Sequence, residues 1–201
     1  RAYRAALSAY REGSYQAAIR GFRDLASELE RGEESPETHD EWTRAMLRLA
    51  HAEATIGHFA ESRAAMEAVL ALEPRLQPDP EQFSPSYRRA FEQARARVAA
   101  QPHRTLSITA SGRPGTAWVN GRPCGITPTT VTLPAGSYRV AGATGAVRTP
   151  RLTVDLSAGD RSVVLDFALA EAVRPEGGPG LALEGPRREA GMVSAGAWLG
   201  V

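Results

Sequence analysis

The chain has 201 residues, 42% hydrophobic and 23% charged, enough for one large or two small soluble globular domains. Its formal net charge of +1 gives no overall case for nucleic acid or a membrane surface as partner. All of its basic residues other than His are Arg, so no Lys exists for a Schiff base or a phosphate loop. The single cysteine, Cys124, excludes an internal disulfide and any multi-cysteine metal site.

From Ala2 to about Ala100 the pattern is helical, rich in Ala, Arg and Glu, with almost no strand signal. Two segments repeat one arrangement. In AALSAYREGSYQAAIRGFRDL, Gly13 is followed by Tyr15, Ala18, Ile19 and Phe22; in RLAHAEATIGHFAESRAAMEAVLALEP, Gly57 is followed by Phe59, Ser62, Met66 and Pro74 at matching offsets. Gly ends a first helix, the aromatic two residues on packs into the helix pair, a small residue permits close approach, and Pro stops the second helix.

This arrangement resembles the tetratricopeptide (TPR) helix-turn-helix repeat. The two glycines lie 44 residues apart, more than the usual repeat of about 34, and the excess is expected in a polar loop over Arg31–Pro36, before a helix beginning near Thr38. The first helix of each TPR pair lines a concave face. The resemblance therefore implies a partner-binding surface of Tyr3, Leu7, Tyr10 and Arg11 from the first repeat and Arg44, Leu47, Arg48 and His51 from the second. Arginines beside aromatics can hold an acidic or C-terminal peptide by bidentate pairing with carboxylates.

After Pro74 the stretch LQPDPEQFSPS is too rich in Pro for helix. Ser84-Pro85 then caps a third helical unit, with Tyr87, Ala90, Phe91, Ala94 and Val98 as its apolar stripe. Gln101-Pro102 ends it and marks a boundary between two separate cores.

Beyond Pro102 the pattern turns to alternation, with strands expected at 105–110, 115–120, 129–133, 137–142, 147–155 and 162–169. Asn120-Gly121 is a hairpin signal, because a tight reversal needs positive φ and Gly or Asn tolerates it. Together with the turn over Gly125–Pro128 and the run Leu133-Pro-Ala-Gly-Ser-Tyr-Arg-Val140, the residues 104–170 resemble the PEGA domain. That resemblance implies a small extracytoplasmic β-sandwich of bacterial envelope proteins, without catalysis. Residues 171–188 read as a Pro/Gly-rich linker, and 189–201 as an apolar tail too short for a bilayer span of about 20 residues.

The fold class expected is thus α+β in two domains: an all-α TPR-like region over 1–101 and an all-β PEGA-like sandwich over 103–170. No catalytic set, cofactor motif or metal-ligand spacing is found. His51 and His58 are seven apart, with Gly57 ending the helix between them, so they read as surface or groove histidines. The acidic run from Glu30 to Glu41 reads as a solvated loop.

The β module carries a local excess of four positive charges through Arg104, Arg113, Arg122, Arg139, Arg148, Arg151 and Arg161. An anionic wall polymer is an expected partner there, against the plainer reading of charged residues that keep sheet edges apart. The expected function is a non-enzymatic interaction or scaffold protein of the bacterial periplasm or envelope. The Arg-only basic composition, with abundant Ala, Gly and Pro, fits a GC-rich bacterial coding sequence. One alternative is an accessory region of a larger receptor or enzyme whose active domain lies outside the chain. Another is a polysaccharide-binding module with Trp118 and Tyr138 as stacking residues. The chain begins at Arg1 without Met and so reads as a fragment or processed product; membrane attachment would come only through a segment outside it.

Overall fold

The structure, a computed structural model, describes residues 1–172. The expected linker over 171–188 falls outside them beyond its first two residues, as does the whole apolar tail. Five helices come first: α1 (Ala2–Arg11), α2 (Tyr15–Arg31), α3 (Pro36–Thr55), α4 (Phe59–Leu72) and α5 (Pro85–Ala100), each packed on the next. Gly13 (φ +78°) and Gly57 (φ +85°) follow α1 and α3 in the left-handed conformation, which is what lets the chain reverse tightly there.

The long spacing between these glycines resides in the helices rather than in a loop. α2 and α3 run 17 and 20 residues, and only 32–35 connect them. The helix expected to begin near Thr38 begins at Pro36 instead, because Ser35 Oγ accepts from Thr38 N at 3.1 Å, a Ser-Pro cap of the same kind as Ser84-Pro85. Phe59, expected to pack inside the second helix pair, is 69% exposed. Ser62, three residues on, is buried and gives α4 its close approach.

Eight strands follow: β1 (His103–Ser111), β2 (Thr116–Val119), β3 (Arg122–Ile126), β4 (Thr129–Pro134), β5 (Ser137–Thr144), β6 (Val147–Arg148), β7 (Leu152–Asp155) and β8 (Arg161–Asp166). They form two sheets, ordered β4-β1-β8 and β3-β2-β5-β6, with β7 also paired to β5. Leu106, Ile108 and Leu165 of the first sheet share a core with Ala117, Val119 and Val140 of the second. Asn120 (φ 47°) and Gly121 (φ 83°) both lie at positive φ, the backbone of a type I′ hairpin, and Asn120 Oδ1 accepts from Arg139 N at 2.8 Å.

Two expected strands are corrected. The run 147–155 is interrupted at Thr149–Arg151, where Pro150 lacks the donor that a continued ladder needs. The strand expected over 162–169 ends at Asp166, whose Oδ1 accepts from Leu169 N and Ser111 Oγ, both at 2.8 Å. That carboxylate starts a short helix, α6 (Phe167–Ala172).

The chain is laid out as a helical region followed by a β region, the expected α+β order, and buried side chains of the two regions meet. Ala26, Trp42, Val69 and Leu72 of the helices belong to the same buried cluster as Leu106, Leu133 and Val140 of the sheets. Around this apolar seam, glutamates of the helical region meet arginines of the β region. Glu73 Oε1 lies 2.9 Å from Arg122 Nε and 3.0 Å from His39 Nε2. Glu30 accepts from Trp42 Nε1 at 3.0 Å and faces Arg139 Nη1 at 3.6 Å. Arg151 pairs with Glu34 at 2.7 Å and donates to the carbonyls of Arg31 and Gly32. Three of the arginines expected to meet an anionic polymer are thus engaged within the molecule, Arg139 and Arg151 by Glu30 and Glu34 of the acidic run expected to be solvated and Arg122 by Glu73.

Candidate functional site

α1 and α3 both pack on α2, and α5, packed on α4, brings the Tyr87 hydroxyl to the Leu47 carbonyl of α3. The side chains expected on a binding face come from α1 and α3, and the structure brings most of them together. Tyr3 packs edge-on against Phe22, with ring centroids 5.8 Å apart, and the Arg44 guanidinium stands 6.0 Å from the Tyr3 ring. Arg48 lies between two rings, 5.5 Å from Tyr10 and 4.7 Å from Phe83, and donates to Gln82 Oε1. A cation over aromatic faces is attracted by their quadrupoles, which holds the guanidinium in place without neutralising it. Arg11 is exposed on the last turn of α1 and makes no ion pair among the described residues.

His51 closes this row. Its Nδ1 lies 2.6 Å from the Tyr10 hydroxyl, and its ring packs 5.0 Å from Tyr87 and 5.7 Å from Phe83. Burial among these rings, with Arg48 nearby, pushes the imidazole below its ordinary value, and burial pushes the Tyr10 phenol up. Both groups are therefore neutral at pH 7. The phenol and Nδ1 share one hydrogen bond, whose donor is set by the imidazole tautomer.

One expected member of the face is drawn into the core. Leu47 is buried in the α3–α4–α5 core with Ala50, Met66 and Phe91, whereas Leu7 is half-buried against the α1–α2–α3 core, as Tyr3 and Tyr10 are. Three residues that complete the face escaped the sequence reading: Gln82, Phe83 and Tyr87. Phe83 stacks on Tyr87 at 4.9 Å, and the Tyr87 hydroxyl donates to the Leu47 carbonyl at 3.0 Å. A signal existed, since an apolar residue directly before a helix cap often folds back on the first turn, and Phe83 precedes the Ser84 cap.

Elsewhere the candidate groups are structural. Glu53, 1% exposed, is held between Arg23 Nη2 at 2.6 Å and His58 Nδ1 at 2.8 Å, so His58 helps to tie the start of α4 to α3. Trp118 and Tyr138, expected as glycan-stacking rings, are 7% and 6% exposed. The Tyr138 hydroxyl donates to the Pro134 carbonyl at 2.7 Å, so neither ring has a face to offer a sugar. Burial raises the Cys124 thiol above its ordinary value, which disfavours the reactive thiolate.

The arrangement offers positive charge on a ring-lined surface, with hydrogen-bond donors and no carboxylate paired to Arg44 or Arg48 among the described residues. Chemically it can receive carboxylates and apolar groups. No family model, curated protein or solved structure matches this chain.

Proposed function

We propose that the chain is a non-enzymatic protein-interaction module, TPR-like in its helical part and PEGA-like in its strands, acting as a scaffold in the bacterial envelope. The α1–α3–α5 face takes an acidic or C-terminal peptide segment, and the β part serves as spacer or anchor. The observation that carries this reading is the row of Tyr3, Arg44, Tyr10, Arg48 and His51, in which guanidiniums are positioned over rings but left without acidic partners. The left-handed glycines closing α1 and α3, and the buried small residues Ala18 and Ser62 at equivalent offsets, support the repeat assignment. The type I′ turn at Asn120-Gly121 supports the hairpin part of the PEGA resemblance.

The test is binding of an array of acidic and C-terminal peptides to the whole chain. The double change Arg44→Ala, Arg48→Ala should weaken any peptide that binds this face at least tenfold, about 1.4 kcal/mol, with an unchanged helical circular-dichroism spectrum. Affinity should also fall with added salt, since the guanidiniums are partly exposed. Equal binding by wild type and double variant would move the partner off this face.

A further inference from the structure

A concavity lies beside the ring-lined face, among the C-terminal end of α3, the start of α4 and one side of α5. It encloses about 380 Å³. Its lining is uneven in a telling way. Met66, Tyr87, Ala90 and Ala94 provide apolar walls, while Ser62, Ser84, Ser86 and Gln93 offer hydroxyls and an amide. Arg63 and Arg97 both line it, and no Asp or Glu does. Arg97 has no ion-pair partner among the described residues, and Arg63 has only a marginal contact, 4.0 Å from Glu67 one turn along α4. Phe59, the aromatic that the repeat pattern expected inside, also lines this cleft at 69% exposure.

We propose that this cleft is a binding site for a small apolar carboxylate, an aliphatic or aryl group bearing one carboxylate. The apolar body would lie against Met66, Tyr87 and Phe59, and the carboxylate would be held by Arg63 and Arg97. A cleft of this size, partly open to solvent, can hold a small ligand, since clefts from about 300 Å³ upward hold small molecules. Two cations from different helices facing one apolar cavity without a carboxylate in its lining are complementary to a compact anion rather than to a neutral lipid or a cation. The same chemistry is carried by a free acid and by the last residue of a peptide chain ending in an apolar side chain. The site does not depend on the groove, although His51 and Tyr87 contribute to both.

The full chain should be titrated with octanoate and with N-acetylphenylalanine, following amide chemical shifts by NMR, with octanol and N-acetylphenylalanine amide as uncharged controls. The expected result is saturable shifts over α3, α4 and α5, with each acid at least tenfold tighter than its uncharged control. Arg63→Gln combined with Arg97→Gln should weaken the acids at least tenfold, and Ala90→Trp, on an exposed position of α5, should block them while leaving the melting curve intact. Arg44→Ala with Arg48→Ala should leave these affinities unchanged, which separates this site from the peptide face. Tighter binding of N-acetylphenylalanine assigns the source as a chain terminus, and tighter octanoate assigns a free acid. Absence of saturable shifts at millimolar probe, equal affinity for acid and uncharged control, or indifference to Ala90→Trp would overturn the proposal.

Discussion

Arg44 and Arg48 in the groove sit over the rings of Tyr3, Tyr10 and Phe83, whereas Arg122, Arg139 and Arg151 at the seam each face a glutamate. In the groove the ring fixes the direction of the cation and leaves its charge uncompensated. At the seam the carboxylate compensates the charge, and the pair locks two parts of the chain together. One residue type thus supplies either a receptive surface or an internal joint, and the neighbour decides which. Net charge near zero hides this division, because a sum over the chain does not distinguish a paired arginine from an unpaired one.

The most damaging way to break the groove side of the comparison is Phe83→Ala. Phe83 is buried, stacks on Tyr87 and lies under Arg48, so its loss should cost about 3 kcal/mol of stability, read as a lowered midpoint in urea. A change below about 1 kcal/mol would mean that the ring does not set the position of Arg48. On the seam side, Glu73→Arg places a cation against Arg122 and His39 and should cost about 2 kcal/mol, less than a fully buried reversal because Glu73 is partly exposed. Adding Arg122→Glu should return part of it, and a double-mutant cycle with no coupling would show that the joint is held by its apolar contacts alone.

The smallest effect is in pH. His51 is depressed below 6.5 in the folded chain, so the unfolded chain binds its proton more readily. The stability tied to the neutral ring is present above about pH 6.5 and is lost as pH falls below it. The melting temperature should decline modestly between pH 7 and pH 5.5, and His51→Gln should flatten that decline. Asp155 and Asp166, whose carboxyls are held low by hydrogen bonds from Ser157 and Leu169, lose their contribution only nearer their ordinary value of 3.8 and below. The two windows are therefore separable.

The groove was more legible in the sequence than the seam, for a physical reason. Gly13, Gly57, Ser84-Pro85 and Asn120-Gly121 act through their own backbone or a partner a few residues away, so the local pattern reveals them. Tyr3, Tyr10, Arg44, Arg48 and His51 are what the TPR resemblance implies when carried over by position. The seam pairs Glu73 with Arg122 and Glu34 with Arg151 across 49 and 117 residues, which no local period encodes. The Glu30–Glu34 stretch accordingly looked like a solvated loop. Trp118 and Tyr138 misled in the opposite sense, since an aromatic on an alternating strand points to the core or to solvent with the same spacing. Phe83 lay in a Pro-rich stretch without periodicity, and only the cap after it marked its direction.

Arg151 reaches from the strand region to the carbonyls of Arg31 and Gly32 and to Glu34, and so bolts down the short link between α2 and α3. Helix pairs that touch only their neighbours behave as a spring, and their curvature sets how wide the hollow between first helices opens. Here one coil of that spring is clamped to a sheet, so the hollow cannot widen freely at α1–α3 while the guanidinium stays in place. On the function proposed above, a segment docking on the α1–α3 face would press on helices tied to the sheets through that clamp, so the two halves would answer to one another.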